Sequence, residues 1–346
     1  MWNKKVYSLE QDRKLTHFSK EIKQQPAVMA KILDKYIKEN KISGFSSFSS
    51  FKKIVLIASG TSKNAADFGA YYFEQIAKIP SKVEFASEAI AKEFILDSDD
   101  LVIFISQSGK SADVLAAAEL VKKTSAKILS VVNKTDSPLA ELSDYVIDME
   151  AGEELAIPAT KSFSSTVVEL YLLAVFFAQE KGFEIKSLIQ EAIDLPEAAE
   201  ELLSSDLASQ IAQNFNAKVF LGRGLCYFAM NEVALKLKEA ALVNTSVYPL
   251  GEFVHGHMVA LDSTQAIWAV SLTFNEIHKI NLSLISRIEA NYGPRIDILT
   301  EEKFSLKSRY LTPLLIVLLF QSIASELALK KGLNPDLPHG LKKVTE

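Results

Sequence analysis

The chain has 346 residues, 48% of them apolar, enough to build one large domain or two of ordinary size. A net charge of −5 at pH 7 argues against the basic face that non-specific nucleic-acid binding needs, so no nucleic-acid partner is expected. A lone cysteine, Cys226, excludes an intrachain disulfide and fits a reducing, cytoplasmic setting.

The start of the chain, Met1-Trp-Asn-Lys-Lys-Val-Tyr7, has neither an apolar core nor a small-residue cleavage pattern, so no signal peptide is expected. Residues 9–40 read as a charged helix with an apolar stripe at Val28, Ile32, Leu33 and Tyr36. A Ser/Phe-rich loop follows over 43–50. Strands at 54–58, 82–85, 101–105 and 126–132 then alternate with helical patterns, the rhythm of βα units on a parallel sheet. A long helix over 160–181 and a charged helical hairpin over 185–214 come next. The βα rhythm resumes with strands at 219–221, 245–248 and 266–271. The two most apolar stretches, 167–178 and 311–324, are broken by Glu169 and by Pro313 and Gln321. Both fall short of the roughly 20 residues that cross a bilayer, so they read as buried core helices and no membrane partner is expected.

The two βα runs look like copies. Lys53-Ile-Val-Leu-Ile-Ala-Ser-Gly60 matches Lys218-Val-Phe-Leu-Gly-Arg-Gly224 in pattern, and the interval from Gly60 to Glu88 is repeated between Gly224 and Glu252. The third strand of each run then ends near Ser106 and Ser271. This predicts an α/β fold of two tandem, doubly wound parallel-sheet domains. The expected division is a helical extension over 1–45, a first domain over 46–183, a helical connector over 184–210, a second domain over 211–332 and a C-terminal tail over 333–346.

The densest chemistry lies in Phe104-Ile-Ser-Gln-Ser-Gly-Lys-Ser-Ala-Asp113. A strand running into a turn and then a helix aims backbone N–H groups at whatever sits over the turn. The hydroxyls of Ser106, Ser108 and Ser111 and the amide of Gln107 crowd the same spot. Together they can wrap the phosphate of a small molecule without a metal, although the same residue types also serve as caps and turn formers. The second run has Ser271-Leu-Thr-Phe274 there, so only the first keeps this element. Glu232, Lys236 and Glu239 are spaced i, i+4, i+7 and, taken alone, read as a solvated helix face with an ion pair. His255 and His257 are too few to bind a metal, and His17, His278 and His339 lack ligand spacing, so no metal is expected. Gly222-Arg-Gly224 lacks the third small residue of a dinucleotide fingerprint, since Tyr227 stands there, so no cofactor is expected either.

Six segments together resemble the sugar isomerase (SIS) family over about residues 20–346: Ser59-Gly-Thr-Ser62, Ser106-Gln-Ser-Gly109, Ala159-Thr-Lys-Ser-Phe163, Ala234-Leu-Lys-Leu-Lys-Glu239, Gly251-Glu-Phe-Val-His-Gly256 and Leu341-Lys-Lys-Val-Thr-Glu346. The pattern is most similar to the isomerase half of glucosamine-6-phosphate synthase and to the stand-alone SIS-type glucosamine-6-phosphate deaminase. The resemblance implies flavodoxin-like domains and a phosphorylated amino sugar as substrate. It implies Glu239 as the proton-transfer base between C2 and C1, with Lys236 holding the open-chain sugar. It implies Thr61, Ser62, Ser106, Gln107, Ser108 and Ser111 as the phosphate and hydroxyl ligands. His255 would open the ring from the partner subunit of a homodimer, and Lys343 would reach C1 from a closing tail. Lys342 beside it leaves the register open by one.

The implied reaction converts glucosamine 6-phosphate to fructose 6-phosphate and ammonia. The synthase's glutaminase domain, with its catalytic cysteine, has no counterpart in these residues, so glutamine is not expected to supply ammonia. Three positions depart from the family pattern: Lys110 stands for a Glu, Ser111 for a Thr and Ala159 for a Ser. The alternatives are another aldose–ketose phosphosugar isomerase, a fructosamine-6-phosphate deglycase or, in a different class, a non-catalytic sugar-phosphate-sensing regulator. Residues 1–50 show no helix-turn-helix to support the last.

Overall fold

Two unbroken apolar runs, Ile54-Val-Leu-Ile-Ala58 and Leu101-Val-Ile-Phe-Ile105, are stable as strands only where both faces are covered. The computed structural model, which describes residues 15–45, 51–261, 266–274 and 277–343, pairs them side by side in parallel. Before them come helix α1 (His17–Tyr36) and the hairpin β1 (Ile37–Lys38) and β2 (Lys41–Ile42). The first sheet is built from β3 (Lys53–Ala58), α2 (Gly60–Gln75), β4 (Ser81–Phe85), α3 (Ala86–Ala89), β5 (Asp100–Ser106), α4 (Ala112–Val121), β6 (Lys127–Val132), α5 (Pro138–Leu142) and β7 (Tyr145–Asp148). Three helices follow: α6 (Lys161–Glu180), α7 (Lys186–Ser204) and α8 (Leu207–Gln213). The second sheet comes from β8 (Ala217–Gly222), α9 (Leu225–Ala241), β9 (Ser246–Pro249), α10 (Leu250–Phe253), β10 (Ala266–Val270), α11 (Ile277–Tyr292) and β11 (Arg295–Leu299), and α12 (Thr312–Lys330) closes the order.

Both sheets are parallel. The first runs β4-β3-β5-β6-β7 and the second β9-β8-β10-β11. In each, the chain leaves the first strand to one side and returns on the other. Crevices therefore open at the carboxyl ends of β3/β5 and of β8/β10, where doubly wound folds bind ligands. Alternate residues of β3 divide between two cores: Ile54, Leu56 and Ala58 join one large apolar cluster, Val55 and Ile57 a smaller one under α4. The large cluster contains Phe18, Phe68, Tyr171, Phe220 and Phe320, so α1, α2, α6 and α12 share one core with both sheets. A third cluster, with Leu221, Ile267 and Ile285, covers the other face of the second sheet.

Several expectations are corrected. The first helix is shorter than 9–40: it begins at His17, where Thr16 caps it, and yields to the hairpin at Ile37. Residues 1–14, 46–50 and 344–346, parts of the extension, the loop and the tail, lie outside the described residues. The helices around the two apolar stretches, α6 and α12, are 20 and 19 residues long, hence long and apolar enough to cross a membrane by length and composition, but most of each is buried inside the chain. A helix apolar on all sides suits a protein core equally well. Glu169 is tolerated within α6 because burial pushes its carboxyl pKa well up and so favours its neutral form. Strands β7 and β11 were not expected.

Candidate active site

α9 packs against α2, and that contact decides the fate of the charged stripe. Glu232 and Lys236 are fully buried, so the solvated-face reading fails for them. Two side chains of α2 receive them. Asn64 Nδ2 donates to Glu232 Oε2 at 2.7 Å, and Thr61 Oγ1 donates to Glu232 Oε1 at 3.2 Å. Lys236 Nζ donates to Thr61 Oγ1 at 3.0 Å and to Glu239 Oε2 at 2.5 Å, and lies 3.4 Å from Glu232 Oε1. Burial pushes the Glu232 carboxyl up to about 7, against the pull of Lys236 and Asn64. Burial also works against the Lys236 ammonium, but Glu232 and Glu239 outweigh it and hold its pKa above the ordinary value. A permanently charged lysine thus lies between one buried carboxyl and one that is 19% exposed, Glu239.

Thr61 ties this network to the first crevice. It lies in the junction from β3 to α2, and β3 pairs with β5, whose last residue is Ser106. The serine turn begins there. Ser106 is buried, and its hydroxyl accepts from the Gly109 N–H at 3.1 Å; Ser108 Oγ accepts from the Lys110 N–H at 3.2 Å. Gly109 adopts φ +62°, and a Cβ there would stand 2.0 Å from Ser137 Oγ. No other residue fits that bend. Ser111 occupies the N-cap of α4 but makes no side-chain capping bond. Ser62, Gln107, Ser108 and Ser111 are half-buried around the mouth of the crevice.

The tail reaches the same neighbourhood. Lys343 Nζ pairs with Glu154 Oε2 at 3.0 Å and donates to the Ala156 carbonyl at 2.5 Å. The inward lysine of the pair is therefore Lys343. Glu154 is buried and also accepts from the Thr160 N–H at 2.8 Å and from Ser162 Oγ at 2.8 Å. Burial opposes its charge, yet the Lys343 ammonium and these donors hold its pKa below the ordinary value. Glu154 adds in turn to the field that keeps Lys236 charged. Further back, Asp336 accepts from the His17 and Phe18 N–H groups at the start of α1, and its carbonyl accepts from Ile157 N–H. The tail is thus laid down along 154–157.

His255 is not brought to this cluster. It follows α10, is exposed, and its side chain makes no hydrogen bond or ion pair among the described residues. The His257 ring lies against Tyr248, tilted by 34° with centroids 4.3 Å apart. Asn64 and Glu154 were missed from the sequence. Asn64 lies one helical turn beyond Thr61, so a pattern of donors facing α9 was there to be found. Glu154 carries no such mark beyond its nearness to Ala159-Thr-Lys-Ser-Phe163. Among the described residues no group of three or more His, Cys, Asp or Glu is gathered as a metal site.

Residues 47–176 match the family model of the SIS domain. The glutamine–fructose-6-phosphate aminotransferase [isomerizing] of Clostridium tetani is 33% identical over 94% of this chain and 58% of its own length. Its namesake from Gloeobacter violaceus is 32% identical over 99% and 60%. The chain therefore spans about 60% of the length of the curated relatives it matches. Among solved structures, the C-terminal domain of glucosamine-fructose-6-phosphate aminotransferase from Francisella tularensis superposes with a TM-score of 0.85 at 27% identity, covering 95% of this chain and all of that one. The glucosamine-6-phosphate deaminase of Thermotoga maritima shares the fold, with a TM-score of 0.75 at 23% identity over 95% of this chain and 99% of that one. Residues 47–176 of the chain thus carry a SIS domain.

Proposed function

We propose that the chain converts glucosamine 6-phosphate to fructose 6-phosphate and ammonia by proton transfer between neighbouring carbons. The observation that carries this reading is the Glu239 carboxylate, held 2.5 Å from a buried ammonium that Thr61 ties to the serine-rich crevice. The sugar's phosphate sits on Ser106, Gln107, Ser108 and Ser111, with Ser62 and Thr61 beside them. His255, donated by a second copy of the chain in a homodimer, opens the ring; its exposed and unengaged side chain is free for that role. Glu239 takes the C2 proton, which the neighbouring aldehyde has made acidic, and returns it to C1. Lys236 and Lys343 steady the charge that develops on the C1 oxygen. The amine-bearing C2 is left as an iminium, water adds to it, and the resulting carbinolamine expels ammonia to leave the ketone. In the same reading the two sheets are tandem copies, over 46–183 and 211–332, joined by the connector at 184–210.

The relatives at 30–33% identity are named for amino transfer to fructose 6-phosphate with isomerisation, which makes the reverse direction the rival reading. A coupled assay decides. Purified chain with glucosamine 6-phosphate should release fructose 6-phosphate and ammonia in equal amounts, and Glu239→Gln should lower turnover roughly 10²–10⁴-fold. Near-normal turnover in Glu239→Gln would remove that carboxylate from the mechanism. Sugar-phosphate interconversion without ammonia would make the chain a plain isomerase, and binding with no turnover would make it a sensor.

A further inference from the structure

The second crevice, at the carboxyl ends of β8 and β10, is not used by the reaction proposed above. It holds a cavity of about 100 Å³ lined by Arg223, Arg309, Asn281 and Tyr71. A hydrogen-bonded chain underlies it. Arg223 Nε donates to Asn281 Oδ1 at 3.1 Å, Asn281 Nδ2 donates to Ser271 Oγ at 3.1 Å, and Ser271 Oγ lies 3.0 Å from His278 Nδ1. Asn281 and Ser271 are buried, so the Arg223 side chain is held from below. Its outer nitrogens rest on Gly251, where a Cβ would stand 3.0 Å from Nη2. Arg309, exposed, donates toward the Tyr71 hydroxyl and lies over the Tyr310 ring, 5.0 Å from its centroid.

Among the described residues neither guanidinium forms an ion pair, although Glu191 acts on Arg309 from farther off, whereas Lys236 pairs with two carboxylates and Lys343 with one. Two like charges turned to one small cavity repel each other. A shared anion reverses the sign of that interaction, and the guanidinium fork matches phosphate oxygens in pairs. Cys226 also lines the cavity, but burial pushes its thiol up to about 12, so the crevice offers no nucleophile. We infer that the β8/β10 crevice is a second anion site, which takes the phosphate group of a small phosphorylated molecule on Arg223 and Arg309.

The test is calorimetric titration of the full chain with inorganic phosphate and with glucitol 6-phosphate, which cannot react. Two equivalents per chain are expected for at least one probe. Arg223→Met/Arg309→Met should bind one fewer, and Arg309→Met alone, a change at an exposed side chain, should weaken that equivalent tenfold or more. Arg309→Lys, which keeps the charge but loses the fork, should fall between. Ser106→Ala/Ser108→Ala should remove the other equivalent and leave this one. A single equivalent in the unaltered chain, or two of unchanged affinity in the folded Arg309→Met variant, overturns the inference. Loss in the arginine variants with none in the serine variants instead leaves it standing and removes the serine turn from the proposed function.

Discussion

The two crevices share a strand order but neutralise charge in opposite ways. At β3/β5 the cation is internal: Lys236 lies between Glu232 and Glu239, and Thr61 and Asn64 satisfy what remains. At β8/β10 the cations face the opening, and the groups behind them, Asn281, Ser271 and His278, are bound to one another without a carboxylate. The equivalent positions can be followed through the fold. Glu88 and Glu252 both fall in a four-residue helix that follows the second strand of their sheet, while Ser106 ends β5 and Ser271 comes immediately after β10. Topology alone therefore fixes where a ligand can enter. The side chains decide whether the site stands complete without one. An internally balanced network is held in place before substrate arrives, which suits proton transfer; a positive rim has its counter-charge still to come.

The largest way to break this contrast is to remove the internal cation. Lys236→Met leaves Glu232 without its ion partner in a fully buried place and strips Glu239 of its positioning bond. Breaking a buried pair from one side costs about 3–5 kcal/mol. Chemical denaturation should show a loss of that order, and turnover should vanish with it. Arg309→Met, in the other crevice, loses only exposed contacts to Tyr71 and Tyr310 and should lower the denaturation midpoint far less. Equal losses in the two variants would erase the distinction between the networks.

Gly109→Ala probes the geometry of the first crevice. Its φ of +62° and the crowding by Ser137 Oγ leave no room for a methyl group, so the turn must shift. The expected cost is about 1–3 kcal/mol of stability, on the scale of other strained backbone positions. Affinity for a sugar phosphate should fall further than stability does, because the hydroxyls of Ser106 and Ser108 are set by bonds to the N–H groups of Gly109 and Lys110. Unchanged affinity would place the phosphate elsewhere.

Acidity sharpens the comparison from another side. Folding raises the Glu232 carboxyl from 4.5 to about 7, so between those values the folded chain holds a proton that the unfolded chain releases. Its contribution to stability is present below the unfolded value and is lost as pH rises through the folded one. Lys236, shifted upward from 10.5, titrates outside this window. Thermal midpoints should therefore fall less between pH 5 and 7.5 (a range of about 2.5 units around these values) in Glu232→Gln than in the unaltered chain. Parallel pH profiles for the two proteins would mean that Glu232 is charged throughout.

Much of this was legible in the sequence, and what was not has a physical reason. β3 and β5 announce themselves because central strands, covered on both faces, must be apolar without interruption. β11, Arg295-Ile-Asp-Ile-Leu299, escaped because it is an edge strand whose charged residues interrupt the apolar ones. The chemistry of the serine turn was visible as a cluster of hydroxyls, since it is local in sequence. Burial of Glu232 and Lys236 was not, because the groups that satisfy them, Thr61 and Asn64, come from a helix far away along the chain. The Glu154–Lys343 pair joins residues more distant still. Composition reports which residues are charged; only packing tells which of those charges have been taken out of water.

The smallest expected effect separates two hydroxyls at equivalent places on two helices. Thr16 at the N-cap of α1 accepts from the Ser19 N–H at 3.1 Å, whereas Ser111 at the N-cap of α4 makes no such bond. Thr16→Ala should therefore cost about 1 kcal/mol of stability and leave sugar-phosphate affinity alone. Ser111→Ala should change stability by less than ~0.5 kcal/mol, the range of substitutions that break no specific contact. It should nevertheless weaken sugar-phosphate binding severalfold, because an uncapped hydroxyl at the mouth of the β3/β5 crevice is one the phosphate can claim. Paired denaturation and binding curves on the two variants read both quantities. A stability loss in Ser111→Ala with intact affinity would make Ser111 a helix cap and take it out of the ligand set.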